Sequence, residues 1–219
     1  MKGDKYKYLF VHIPKNAGTA IELALLSAEG IATGDRDLNN YDKVTKAMYL
    51  LGGSWTHMRL RDYSDWPALE IYGGLKFSDY FKFTIVRNPW SRMVSEYNYC
   101  LAGGINNELT LNYSFKEFCY KWRDGELTEL QVYPEHLRSQ HEFVGSDIDY
   151  VGRFECLDRS FNNICSHLGI SVNSLPATNV STKKTDYVDY YDYESQTLVR
   201  RIFERDVDEF SYTFGDNIW

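Results

Sequence analysis

The most constraining feature of the chain is a junction near its start. Tyr8-Leu9-Phe10-Val11-His12-Ile13, a short run of β-forming residues, passes through Pro14-Lys15-Asn16-Ala17-Gly18-Thr19 into the helix-compatible Ala20-Ile21-Glu22-Leu23-Ala24-Leu25-Leu26. The order predicts strand, tight loop and helix in direct succession, with Gly30 and Gly34 marking the exit. The pattern returns at Phe81 to Arg87, where Asn88 suits a helix N-cap, Pro89 the first helical position, and Trp90, Met93, Val94, Tyr97 and Leu101 fall at helical spacing. It returns again at Asp149 to Phe154, followed by Leu157, Phe161, Ile164, Cys165 and Leu168 on one helical face that Gly169 ends. Val199, Phe203, Val207, Phe210 and Phe214 predict a C-terminal helix, and Thr178 to Tyr193 reads as a loop and a helix start. Repeated strand-then-helix units imply an α/β fold with a mainly parallel sheet, because parallel neighbours need crossover connections. Ligands of such sheets bind beyond the carboxyl ends of the strands, so the loops after Ile13 and Val86 are expected on one rim.

A chain of 219 residues with no Pro, Gly or Ser-rich divider is expected to be one domain, residues 1–219. Net charge is −7, which argues against a general nucleic-acid binder but leaves room for a small anion held by local cations and backbone N–H groups. The first apolar run is too short for a signal-peptide core, and no stretch reaches the roughly 18 apolar residues of a membrane span, so a cytoplasmic setting is expected. Cys100, Cys119, Cys156 and Cys165 lack metal-like spacing and are expected as free thiols. The 18 Tyr suit either a core or a surface that stacks on flat ligands.

A loop that leaves a strand and opens a helix presents N–H groups at the positive end of the helix dipole. Gly18 allows close approach of an anion, Thr19 offers a hydroxyl and Lys15 a full charge. A nucleotide-hydrolysing loop would read GxxxxGK followed by Ser or Thr, with a metal-binding Asp at the end of a second strand. Here Lys15 precedes Gly18, and the second strand ends in Arg87. Ser95 lies about two helical turns beyond Arg87, on the face of Ser91, and an Arg fork with a Ser hydroxyl can hold a terminal phosphate. Taken singly, Lys15 also fits a solvated turn lysine, and Arg87 a structural ion pair.

The segments FVHIPKNAGTAIE and FKFTIVRNPWSRMVSEY together resemble the two donor-binding motifs of the sulfotransferases, in the branch of the heparan sulfate 2-O-sulfotransferases and bacterial relatives. The resemblance continues through YVGRFECL at 150–157 and NVSTKKTDYVDYY at 179–191. It implies a three-layer α/β/α fold of the P-loop-NTPase-like kind, and 3′-phosphoadenosine 5′-phosphosulfate (PAPS) as donor. Lys15, Asn16, Ala17, Gly18, Thr19 and Ala20 would hold the 5′-phosphosulfate, and Arg87 and Ser95 the 3′-phosphate. Ala17 and Ala20 depart from the family, where Gly and Ser are common. Ser181 and Lys183, with Lys184, resemble a C-terminal loop that closes over the donor.

Sulfuryl transfer moves SO₃ to an acceptor and leaves 3′-phosphoadenosine 5′-phosphate (PAP). Lys15 would stabilise charge on the leaving oxygen, and no metal is expected. A His between the two donor motifs is the base in the branch resembled, which singles out His57; Glu22 is the alternative, and His12 has a structural part. Arg153 and Glu155 are expected in an ion pair or rim contact. The acceptor is expected to be a carbohydrate hydroxyl, and a neutral or weakly charged one, since an acidic protein suits a polyanion poorly. A Mg²⁺- and ATP-dependent small-molecule kinase and an inactive nucleotide-binding protein are the competing expectations, and oligomeric state is unreadable.

Overall fold

A computed structural model describes residues 1–30, 57–64, 75–103, 112–127, 132–171, 175–176 and 186–216. Ser181, Lys183 and Lys184 lie outside these residues, as do Gly34 and the residues just before His57. The chain forms two compact units, Met1–Val86 with Glu142–Val180, and Arg87–His141 with Ser181–Trp219.

The first unit carries a four-stranded sheet in the order β1 (Lys2–Gly3), β2 (Tyr8–Val11), β3 (Phe81–Val86), β4 (Tyr150–Arg153). The β2, β3 and β4 strands run parallel, with Phe10 opposite Phe83 and Ile85 opposite Gly152. These strands are the ones expected from sequence, and each leads towards a helix as expected. β1 was not foreseen: two residues pair antiparallel at the edge, too few to carry a periodic signal. All of β2, and β3 from Lys82 onward, is buried, so both faces are covered and the strands read as continuous β-formers rather than alternating ones.

On one face Tyr8, Phe10, Phe83 and Ile85 pack with Ile21, Ala24 and Leu25 of α1 (Gly18–Glu29) and with Phe161, Ile164 and Cys165 of the helix Leu157–Leu168. Each fully buried side chain of this size contributes roughly 1.5–3 kcal/mol. Gly152 sets how closely that helix approaches: a Cβ there would lie 2.5 Å from Ile85 Cδ1 and 2.9 Å from Ser160 Cβ. Ser160 then fixes the strand end, its hydroxyl accepting from Arg153 N–H at 2.9 Å and donating to the Arg153 carbonyl at 3.1 Å. A short helix, α2 (Leu60–Ser64), buries Leu60 and Tyr63, and the Tyr63 hydroxyl accepts from the N-terminal amine at 2.6 Å.

The second unit is helical. In α3 (Pro89–Leu101) Asn88 is the N-cap and Pro89 the first residue, as the sequence predicts; Asn88 Oδ1 accepts from Trp90 N–H at 3.1 Å. In α4 (Phe115–Asp124) Ser114 and Glu117 close a capping box. The expected single C-terminal helix is instead two, Tyr193–Ile202 and Glu204–Glu209. The break is at Phe203, where φ −112° and ψ 32° leave the helical region while the ring stays buried, so the apolar spacing survives a backbone that does not. Phe214 lies beyond both.

Much of the aromatic excess is structural. Tyr97, Phe115, Tyr190, Tyr191 and Phe214 meet edge to face, and the Tyr191 hydroxyl donates to the Trp90 carbonyl at 2.9 Å. Tyr187 also packs on Phe214, whereas Tyr193 is 84% exposed. The rings of Tyr187, Tyr190 and Tyr191 thus take part in packing. All four cysteines are free thiols, as expected. Burial pushes the Cys119 thiol up to about 12, which leaves it unreactive at neutral pH. No described helix is long and apolar enough to cross a membrane.

Candidate active site

Parallel pairing puts the carboxyl ends of β2 and β3 at the same edge of the first unit's sheet, and the Lys15 loop starts there. Asn16 braces it, with its side-chain amide donating to the Ile85 carbonyl at 2.8 Å while the residue is 1% exposed. The Asn16 side chain therefore serves the loop. Lys15 and Ala17 have φ of 69° and 63°, two non-glycine residues in the left-handed region within one short turn. Each costs about 1–2 kcal/mol, and such alternation turns successive N–H groups inward to form an anion-binding hollow. Ala17 caps α1 without a side-chain hydrogen bond, and the first turn carries no acidic residue. Lys15 itself is half-buried. The Ala20 N–H donates to the Ala17 carbonyl at 3.0 Å and is thereby engaged within the helix start. With no hydroxyl at 20, the polar groups that Ala20 could offer a ligand are reduced accordingly.

Gly18 has a reason that the sequence did not show. The His12 ring, 5% exposed at the residue level, lies directly over it, and any Cβ at 18 would fall inside the van der Waals envelope of that ring. Gly18→Ala is expected to cost about 1–3 kcal/mol in chemical denaturation, since the rigid ring and the loop must part. An unchanged unfolding midpoint would refute that packing account.

Around His12 the structure gathers the residues on which base chemistry was expected. His12 Nδ1 donates to Glu22 Oε1 at 3.0 Å, so the alternative base, Glu22, is engaged in holding His12. The structural part foreseen for His12 is met by this tie and by its stacking on Phe10 at 5.7 Å. His57 stands edge-on to His12 with ring centroids 4.6 Å apart, and His57 Nδ1 lies 3.2 Å from the His12 carbonyl oxygen. A carbonyl can only accept, so Nδ1 carries the hydrogen and, in the neutral ring, Nε2 keeps the lone pair. That is the tautomer in which a base is poised. The sequence named His57 but gave no view of this contact, which joins residues 45 positions apart.

In the second unit, Arg87 Nε donates to Ser91 Oγ at 3.0 Å, a contact that sets the plane of the guanidinium. Ser95 follows one turn later on the same face of α3, half-buried. The sequence presents Ser91 only as a neighbour of Ser95, and its four-residue spacing from Arg87 is the signal for this contact. The site residues thus fall into two described groups. Lys15 to Ala20 are assembled with His12, Glu22 and His57, and Arg87 contacts Ser91, with Ser95 one helical turn further along α3. Arg153 meets Ser160 through its backbone.

Comparison with known proteins bears on the chain's family. An uncharacterized protein of Archaeoglobus fulgidus is 27% identical over 105 residues, covering 48% of this chain and 81% of that one. A crystal structure of a sulfotransferase from Alicyclobacillus acidocaldarius overlaps 94% of this chain and 98% of its own at 16% identity, with a TM-score of 0.41, too loose to fix a shared geometry. The profile of the Sulfotransferase family matches residues 2–213, which take in the Lys15 loop, His57, Arg87, Ser95 and both closing helices, and the chain accordingly belongs to the sulfotransferase family.

Proposed function

We propose that the chain is a PAPS-dependent sulfotransferase acting on a hydroxyl group of a carbohydrate. The observation that carries this reading is the strained loop of Lys15 and Ala17 at the end of β2, with the His57 imidazole fixed by the carbonyl of His12, the residue at that strand end. An anion hollow and an oriented base at one strand end match a transfer that must stabilise a departing phosphate and deprotonate an acceptor.

Bound PAPS would supply an electrophilic sulfuryl group on a phosphate leaving group. The loop N–H groups at Ala17 to Thr19 and the Lys15 ammonium would bear the charge that develops on the leaving oxygen. His57 Nε2 would take the proton of the acceptor hydroxyl as the oxygen attacks. Glu22 and the His12 ring would keep the loop and base in register. Arg87, oriented by Ser91, would hold the 3′-phosphate with Ser95. Ser181 and Lys183 would add donor contacts, a role resting on the resemblance of their segment alone. The net charge of −7 favours a neutral or weakly charged sugar over a highly sulfated one.

Isothermal titration separates this reading from a kinase. PAP is expected to bind without added metal, and ATP with Mg²⁺ to bind much more weakly. Tight binding of ATP with Mg²⁺ and none of PAP would overturn the proposal.

A further inference from the structure

Gln140 lies in the second unit, 0% exposed, and both ends of its side-chain amide are spent on one residue. Its Oε1 accepts from the Arg87 N–H at 2.9 Å, and its Nε2 donates to the Arg87 carbonyl at 2.7 Å. The amide thus acts on Arg87 as a neighbouring strand would, and the orientation of the amide is settled by its partners, since an N–H needs an acceptor and a carbonyl a donor. The clamp is itself anchored. Asp206, on the second closing helix and 0% exposed, accepts from the Gln140 N–H at 2.7 Å and from the His141 N–H at 2.8 Å, and takes His141 Nδ1 at 2.9 Å.

We infer that Gln140 is a positioning residue that holds Arg87 for the second phosphate of an adenosine bisphosphate ligand, with Asp206 as its anchor. The inference rests on the reading of Arg87 as the 3′-phosphate group. Arg87 follows Val86, the last residue of β3. A side chain with several rotatable bonds loses much of its binding energy to ordering unless its root and fork are fixed beforehand. Gln140 fixes the root through the backbone, and Ser91 fixes the fork through Nε. A buried amide is costly unless bonded at both ends, and here both bonds go to the same residue.

The test compares PAP with adenosine 5′-monophosphate, which lacks the 3′-phosphate, by titration into the full chain. Gln140→Glu keeps the shape but sets an oxygen against the Arg87 carbonyl. It is expected to weaken PAP about tenfold or more while leaving adenosine 5′-monophosphate within about twofold. In an Arg87→Ala background the same substitution should change PAP affinity by less than about twofold, because its route of action is gone. Equal weakening of both ligands, or an effect that persists without Arg87, overturns the role of Gln140 while leaving that of Arg87 standing. A wild-type protein that binds both ligands equally overturns the reading of Arg87, and this inference with it. Should Gln140→Glu fail to fold, Asp206→Asn loosens the clamp from outside, with about threefold weakening of PAP alone expected. An unchanged ratio of the two affinities would again overturn the role.

Discussion

Replacing Lys15 with methionine should lower the rate of sulfuryl transfer about 100- to 1000-fold, with little change in thermal stability. Methionine keeps the apolar stem and the left-handed backbone cost while removing the charge, so the substitution isolates the ammonium. The loss should appear mainly in kcat, since the charge that Lys15 meets is greatest in the transition state. Arginine is not expected to rescue it: a broad planar fork does not fit a half-buried position that places one point charge. A Lys15→Met enzyme whose kcat is unchanged would show that the loop's backbone alone does the work.

The second large effect belongs to His57. His57→Asn should lower kcat about 100- to 10,000-fold, as should His57→Ala. Asparagine is the sharper variant, because its amide can still donate to the His12 carbonyl and preserve the local packing. The sign of the pH dependence follows from the tautomer: protonating Nε2 removes the lone pair, so wild-type activity should fall towards acid pH. In His57→Asn that acidic limb should vanish, and the small residual rate should be flat there. An Asn variant of near wild-type rate would assign His57 a purely structural part, as would one that keeps the acidic limb.

The elements that carry these residues were legible because their signals are local. Asn88 and Pro89 announce the start of α3, Gly169 ends the helix that begins at Leu157, and the β-forming runs before Lys15 and Arg87 are bounded by residues that cannot continue them. Lys15 and Arg87 stand out as candidates because each follows a strand at a strand-to-helix junction, whereas His57 is singled out only by the resemblance of its place between the two motifs. What was hidden depends on contacts remote in sequence. The amide of Gln140 reaches across 53 positions to Arg87, and His57 across 45 to His12; neither leaves a period or a spacing behind. The reason for Gly18 was half-visible: the close approach was foreseen for a ligand, whereas the structure also fills it with the His12 ring. The break at Phe203 was invisible because apolar periodicity reports which side faces the core, and a kink that preserves that side leaves the pattern intact. The tyrosines of 187–191 are a case that composition leaves open between core and surface, and the structure packs the rings of Tyr187, Tyr190 and Tyr191 on other aromatics.

The most direct test of the account is transfer itself. The purified chain would be incubated with PAPS carrying labelled sulfate and a panel of neutral and weakly charged sugars, following label on the acceptor together with release of PAP. The account predicts label on a sugar hydroxyl in equal amount to the PAP formed, lost together in Lys15→Met and His57→Asn. Label that stays on PAPS with every acceptor, while phosphate passes from ATP to the same sugars in the presence of Mg²⁺, would contradict it.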